Sequence, residues 1–302
     1  MRVRGNTPVL WRGQGESQLG AEPGTALVLT GLSPREQQFL DRLHNSLEPA
    51  ALYRNARWAR IPVARARELV AELTGAGALA DNTEEPVSPD EVYWDRLVDS
   101  HRERSAALEG AVVAFLGVGS LLRETALLLA ESGVGTLLAD DRPLGAALAA
   151  DWPLVKTRAP LHHHPDLVVT QEAHVIDPVR ARGLAQAGVV HLPVTVREVS
   201  VRVGPVIRPN EPVCSTCLDL WERDADPSWP ALATQLRTMA PPATERLLTH
   251  QAAALAARAV IEVLTTSGAS WRGRSVELSG AEPLGVVRAW DPHPECLCSS
   301  LT

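Results

Sequence analysis

Aromatic residues are scarce: 2 phenylalanines, 2 tyrosines and 8 tryptophans make up 4% of 302 residues. Lysine is scarcer. Lys156 is the single lysine among 29 basic residues, so chemistry that needs an ammonium group has one candidate. An excess of basic charge is also missing. With 36 carboxylates the formal charge is -7, which argues against a dedicated nucleic-acid binder, whose phosphate contacts need a basic face. No apolar run reaches the roughly 20 residues of a membrane span; the longest candidates, near Val112 and Leu127, are broken by glycine and charge. Arg2 and Arg4 have no apolar stretch behind them, so no signal peptide is read, and the cytoplasm is the expected compartment. Hydrophobic residues at 45% and charged residues at 22% exclude a disordered or fibrous chain. The length suits two modest domains.

Cysteine is sparse but paired. Cys214 and Cys217 form a CxxC, and Cys296 and Cys298 form a CxC near the C-terminus. Two close pairs far apart in sequence fit a tetrathiolate zinc site, each pair supplying two sulfurs from one turn. Cytosolic thiols stay reduced, and four soft anionic ligands suit zinc. Such a closed shell leaves no position for water, so this zinc is expected to be structural. The bland alternative is buried apolar cysteines or a redox pair.

Short strands are expected at residues 9–11, 17–19 and 26–30, between glycine-rich turns. Ser33, Pro34 and Glu36 make a capping signature, followed by Phe39, Leu40, Leu43 and Leu47 at helical spacing. A second helix is expected at residues 50–56. A third starts near Pro62, carries Val63, Ala66, Leu69, Val70 and Leu73, and stops at Gly75 and Gly77. A small sheet with three helices is a winged helix-turn-helix shape, assigned to residues 1–82. Residues 81–90, acidic with Pro86 and Pro89, read as a linker. Ser88 and Glu91 then start a helix through about residue 104, making 83–104 a linker helix.

The remainder, residues 105–302, reads as an α/β domain of Rossmann type. A buried strand at 110–116 passes into Gly117-Val-Gly119, a helix at about 121–132, and a strand at 136–139 ending on Asp140 and Asp141. Further strands are expected at 166–170, 189–196 and 199–207, helices at 178–187 and 244–264, and a hairpin at 275–290. Gly117 and Gly119 suit a tight turn that lets backbone approach phosphate, although Leu122 fills the third glycine slot. Asp140 or Asp141 lies where a ribose-binding acid belongs. On spacing alone, a nucleotide site and a merely structural turn stay equally open.

The succession LGVGS, LAESGVGTLLADD, PDLVV, CxxC and a late cysteine pair resembles the ThiF/MoeB-like superfamily, relatives of ubiquitin-activating enzymes, over most of residues 105–298. Active members bind ATP and magnesium and adenylate a peptide or protein carboxylate. Adenylation needs cations on the phosphates and carboxylates on magnesium. Residues 141–148 lack the asparagine and the Arg-Gln pair of those members. Lys156 sits nearer the strand than the pattern places it, and only Glu172 stands where a metal-binding aspartate would follow the third strand. The resemblance therefore implies a member without its own catalysis, for which ATP and magnesium are not expected. A rewired adenylyltransferase using Glu172, Lys156 and Arg123 is the alternative.

Within the superfamily, the first 80 residues and the segments around Gly204, Cys214, Trp229 and Trp290 resemble the ocin-ThiF or cyclodehydratase C-protein group, whose N-terminal RiPP recognition element binds the leader of a TOMM precursor peptide. That likeness implies two partners, a leader peptide and a YcaO-type modifying enzyme, and a homodimer would match many relatives. Strand addition needs an exposed edge beside a groove. Leu27, Val28 and Leu29 offer the edge; Arg65 and Leu69 on the third helix offer the wall, with Arg57, Arg60 and Arg67 suited to acidic residues. A solvated arginine face is the plainer reading of each of these cations. A DNA-binding regulator is a further alternative, disfavoured by the acidic total. His162 to His164 read as a solvated loop, and Trp221, Trp229 and Trp290 as packing residues. Cys217 as a persulfide-forming nucleophile is disfavoured by metal ligation.

Overall fold

The computed structural model describes residues 1–43, 49–80, 85–97, 100–160 and 163–300, in two units, Met1–Ser105 and Ala106–Thr302. Leu47, part of the expected linker at 81–90, and His162 lie outside the described residues.

In the first unit the chain begins with β1 (Arg2–Val3), then β2 (Val9–Gly13), β3 (Glu16–Leu19) and β4 (Leu27–Leu29). The last three form an antiparallel sheet in the order β2-β3-β4, with Gln18 opposite Val28. α1 (Pro34–Leu40) starts as its capping chemistry requires: Ser33 accepts from the Glu36 N–H, and the Glu36 carboxylate accepts from the Ser33 N–H. α2 (Pro49–Ala59) and α3 (Val63–Gly75) follow, and β5 (Leu79–Ala80) pairs with β1. Leu19, Leu29, Phe39, Leu43, Leu69 and Leu73 are buried in one core. Gln37 is fully buried there. Its amide donates to the Gly13 and Glu16 carbonyls and accepts from the Gly15 N–H, pinning the β2–β3 turn to α1.

The helix expected to run from residue 88 to 104 is two helices, α4 (Pro89–Arg96) and α5 (His101–Gly110). α4 has the expected capping box at Ser88 and Glu91, but its end is set by tertiary bonds. Asp95, 1% exposed, accepts both Nη donors of Arg2 and the Gly5 N–H, which holds α4 to the N-terminal segment.

The second unit is built on the apolar runs. β6 (Val112–Leu116), α6 (Ser120–Glu131), β7 (Thr136–Ala139), α7 (Arg142–Asp151), β8 (Leu167–Ala173), α8 (Pro178–Gln186) and β9 (Val190–Val196) come first. β10 (Ser200–Val203), α9 (Ser215–Ala225), α10 (Trp229–Leu236), α11 (Arg246–Thr265), β11 (Arg274–Ser279) and β12 (Val286–Ala289) complete it. The seven-stranded sheet has the order β12-β11-β10-β9-β8-β6-β7. β7, β6, β8 and β9 are parallel, and β10, β11 and β12 continue antiparallel. This is a mixed α/β, Rossmann-like sheet.

α11 corrects one expectation. It is 20 residues long and contains an 18-residue window of mean hydropathy 1.3, long and apolar enough to cross a membrane, unlike the stretches near Val112 and Leu127. Here Ala252, Ala253, Ala256, Ala257 and Val260 are buried as the helix packs on α6 and the sheet. Small side chains read as a helix core in this setting, because they permit close approach to a neighbouring helix.

Candidate functional site

Three places carry the residues singled out above. The first is the edge of the small sheet. β4 is its outer strand, and among the described residues no strand pairs with its far side. Val28 is 37% exposed. Leu29 and Leu69 are core residues, at 3% and 0%, and Leu27 packs on that core. Their side chains support the edge from behind, so what β4 offers outward is its backbone and Val28. Arg65 is held: its Nε donates to Glu36, at 2.5 Å, and its Nη1 to Glu68, at 3.1 Å. Hydrogen bonding within this pair overcomes the burial that would raise the Glu36 carboxyl and leaves it below its usual value.

The second is the glycine turn. Gly117 and Gly119 have φ of 114° and 146°, the region that favours glycine, and join β6 to α6. Phe115 is paired with Ala139, and the Asp140 N–H donates to the Phe115 carbonyl, so both glycines and both aspartates share the carboxyl edge of β6 and β7. Val118, Gly119 and Ser120 are exposed, and on one side Gln171 stands against the turn. A β-carbon at Gly119 would stand 2.6 Å from Nε2 and 2.7 Å from Oε1 of Gln171, a residue of β8. The Gln171 Oε1 is buried without a hydrogen-bond partner.

Neither Lys156 nor Glu172 joins this set. Lys156 bridges to Thr136, the first residue of β7, and exchanges backbone bonds with Gly135 and Leu137. Asp140 follows the last residue of that strand, so about 13 Å of chain lies between the lysine's station and the turn. Glu172 is 3% exposed, and its Oε2 accepts from Arg180 Nη1 at 3.0 Å. It points into the interior on the face that carries Thr170, His191 and Thr195. His191 shares a 2.8 Å hydrogen bond with Thr170, and burial together with Arg180 holds its imidazolium pKa down to about 4. Sequence reading missed this polar cluster, because Thr170, Glu172 and His191 lie on strands 21 residues apart and meet only through parallel pairing.

The third place is the thiol cluster. Cys214 precedes α9 and Cys217 lies in its first turn. The sulfurs of Cys214 and Cys217 are 3.9 Å apart, Cys214 and Cys296 3.5 Å, and Cys217 and Cys298 3.3 Å. All four lie within 4.8 Å of one another. Four thiolates at about 2.3 Å from a tetrahedral ion are spaced at nearly these distances, so the donor set fits a metal ion. The cluster is braced from both sides. The His293 N–H donates to Cys217 Sγ, its Nε2 lies 2.9 Å from Asp224 Oδ2, and its ring meets Trp221 edge-on at 4.7 Å. On the other side, Arg202, Arg288 and Arg197 converge on Glu222 Oε1 of α9 at 3.0, 3.4 and 3.5 Å. Trp290 is buried with Ile176, Ala181, Val213 and Leu218, and Trp221 packs against them. His163 and His164 are exposed.

No known family profile matches the chain, and no curated protein sequence matches it. Solved structures do. MccB of E. coli with succinimide superposes with a TM-score of 0.67 at 14% identity, over 98% of each chain. MccB of E. coli with MccA gives 0.68 at 13% identity, again over 98% of each chain. A heterocyclase in complex with substrate and cofactor gives 0.70 at 14% identity, over 96% of this chain and 38% of that one. At these identities the likeness is one of fold. The chain therefore shares the fold of MccB over nearly its whole length.

Proposed function

We propose that this chain recruits a precursor peptide and presents it to a separate modifying enzyme, with no adenylation chemistry of its own. In this reading the first unit is a winged-helix recognition element that takes the peptide leader as an added strand on β4. The partner is a YcaO-type cyclodehydratase, and both work in the cytoplasm. Structures of MccB with MccA and of a heterocyclase with its substrate support a peptide-modifying context.

The observation that carries the non-catalytic half is the disposition around the glycine turn. Gln171 stands against one side of Gly119, and the chain's one lysine sits at the opposite end of β7. A triphosphate reacting there would lack an ammonium partner. The four cysteines would hold a structural zinc, whose role is to tie α9 to the C-terminal segment. A homodimer is consistent with this reading.

ATP–pyrophosphate exchange, measured with the purified chain alone and with any short peptide found encoded beside its gene, tests it. No exchange is expected, together with leader binding by fluorescence anisotropy that Val28→Asp weakens at least tenfold. Robust, peptide-dependent exchange would replace this reading with that of an active adenylyltransferase.

A further inference from the structure

Helix α2 buries Ala56 and Ala59 in the core of the first unit and turns Tyr53, Arg54, Arg57 and Trp58 outward. Tyr53 is 47% and Trp58 50% exposed, in a chain with few aromatics to spend on its surface. Between residues 49 and 67 stand five arginines and no carboxylate, although the whole chain has a charge of -7. Among the described residues no carboxylate pairs with Arg42, Arg54, Arg57, Arg60 or Arg67, whereas Arg12 and Arg65 nearby are paired.

Two of these cations are held in place by the exposed rings. The Arg42 guanidinium lies 3.5 Å from the Trp58 ring centroid. Arg67, reaching over from α3, lies 5.6 Å from the Tyr53 ring centroid and donates to its hydroxyl at 2.5 Å. A guanidinium fixed against an aromatic ring keeps in-plane donors directed outward, and that fork matches a carboxylate. Trp, Tyr and Arg together are also the residues that dominate binding energy at protein interfaces.

The geometry points to the outer face of α2 as a docking surface for an acidic, extended segment of a partner polypeptide. Tyr53 and Trp58, five residues apart on a helix, are turned about 140° from each other around its axis, and exposed Arg54 and Arg57 lie on the arc between them. A segment crossing that arc meets cations along it and a held guanidinium at either margin. Nucleic acid fits less well, because base stacking needs free ring faces and Trp58 already carries Arg42 on one. Arg57 and Arg67 are also among the cations set beside the β4 edge in the leader reading, but Arg42, Tyr53 and Trp58 are not, and Val28→Asp separates the two surfaces.

The test is fluorescence anisotropy of the full chain with a labelled ten-residue peptide of alternating glutamate and serine. Binding is expected to weaken at least tenfold in the Arg42→Gln, Arg67→Gln double variant, and several-fold in the matching lysine variant, which keeps charge but loses the fork. Val28→Asp, on the other edge, is expected to leave it unchanged. Unaltered melting temperatures in these surface variants show that folding is not the cause. Failure of the wild-type chain to bind, or equal binding by the double variant, overturns the proposal. So does tighter, competing binding of single-stranded or duplex DNA.

Discussion

Gln171 rests on Gly119, its amide nitrogen 2.6 Å from where a β-carbon would be. In dinucleotide-binding folds the second glycine of this turn is the place where backbone comes close to a pyrophosphate. Here the Gln171 side chain stands against one side of that exposed backbone. Gln171→Ala is expected to widen the space beside the turn and to raise binding of millimolar ATP, followed by equilibrium dialysis, several-fold above the wild-type level. Equal binding by both proteins would remove Gln171 from the account. Gly119→Ala is expected to cost about 1–3 kcal/mol in a urea titration, because its φ of 146° suits no L-residue.

The thiol cluster predicts one bound metal ion per chain, zinc under reducing expression, measured by elemental analysis. Cys214→Ser should lower that stoichiometry. Stripping the metal with a mercurial and a chelator should lower the melting temperature by roughly 10 °C, since the site joins segments about eighty residues apart in sequence. Unchanged metal content in Cys214→Ser would defeat the four-thiolate site.

His191 predicts an acid-sensitive stability. Its pKa lies near 4 in the folded protein, against about 6.5 when unfolded. The unfolded chain therefore binds the proton first as pH falls, and the stability present above about pH 6.5 declines from there towards pH 4. The full loss is about 3 kcal/mol, at about 1.4 kcal/mol per pH unit. His191→Gln should flatten the fall in urea midpoint between pH 6.5 and 5. An identical slope in both proteins would show that other groups cause it.

Asp95 predicts the cost of breaking a buried pair. It accepts from Arg2 and the Gly5 N–H with 1% of its surface exposed, and these bonds hold its carboxyl below the usual value against the opposing effect of burial. Asp95→Ala should destabilise the first unit by about 3–5 kcal/mol. Ser33→Ala, which removes one exposed helix cap, should cost only about 1 kcal/mol. Equal effects in denaturant titrations would contradict the assignment of Asp95 to a buried anchor.

Much of the fold was legible in the chain because it depends on local rules. Both capping signatures, at Ser33 and Ser88, start helices where expected, and the apolar runs ending at Leu116, Ala139 and Val196 are the parallel strands β6, β7 and β9. Other parts were not. Residues 142–151 drew notice only for the motif they lack, yet they form α7, with Pro143 in its first turn. α9 and α10 hid among motif residues. The expected strand at 199–207 is only β10, Ser200–Val203, because the chain leaves the sheet at Gly204.

Local spacing and residue type alone mark the capped helices α1 and α4, the strands β6, β7 and β9, the two cysteine pairs, the glycine turn with its aspartates, and the single lysine. Those properties follow from spacing and residue type, which act over a few residues. Packing between distant segments set Lys156 at the far end of β7, Gln171 against Gly119, and Leu69 in the core. It also decided that four thiols meet and that Arg42 and Arg67 are held on exposed rings. Each of these depends on which distant strand or helix packs beside the residue, and no periodicity in the chain encodes that neighbour.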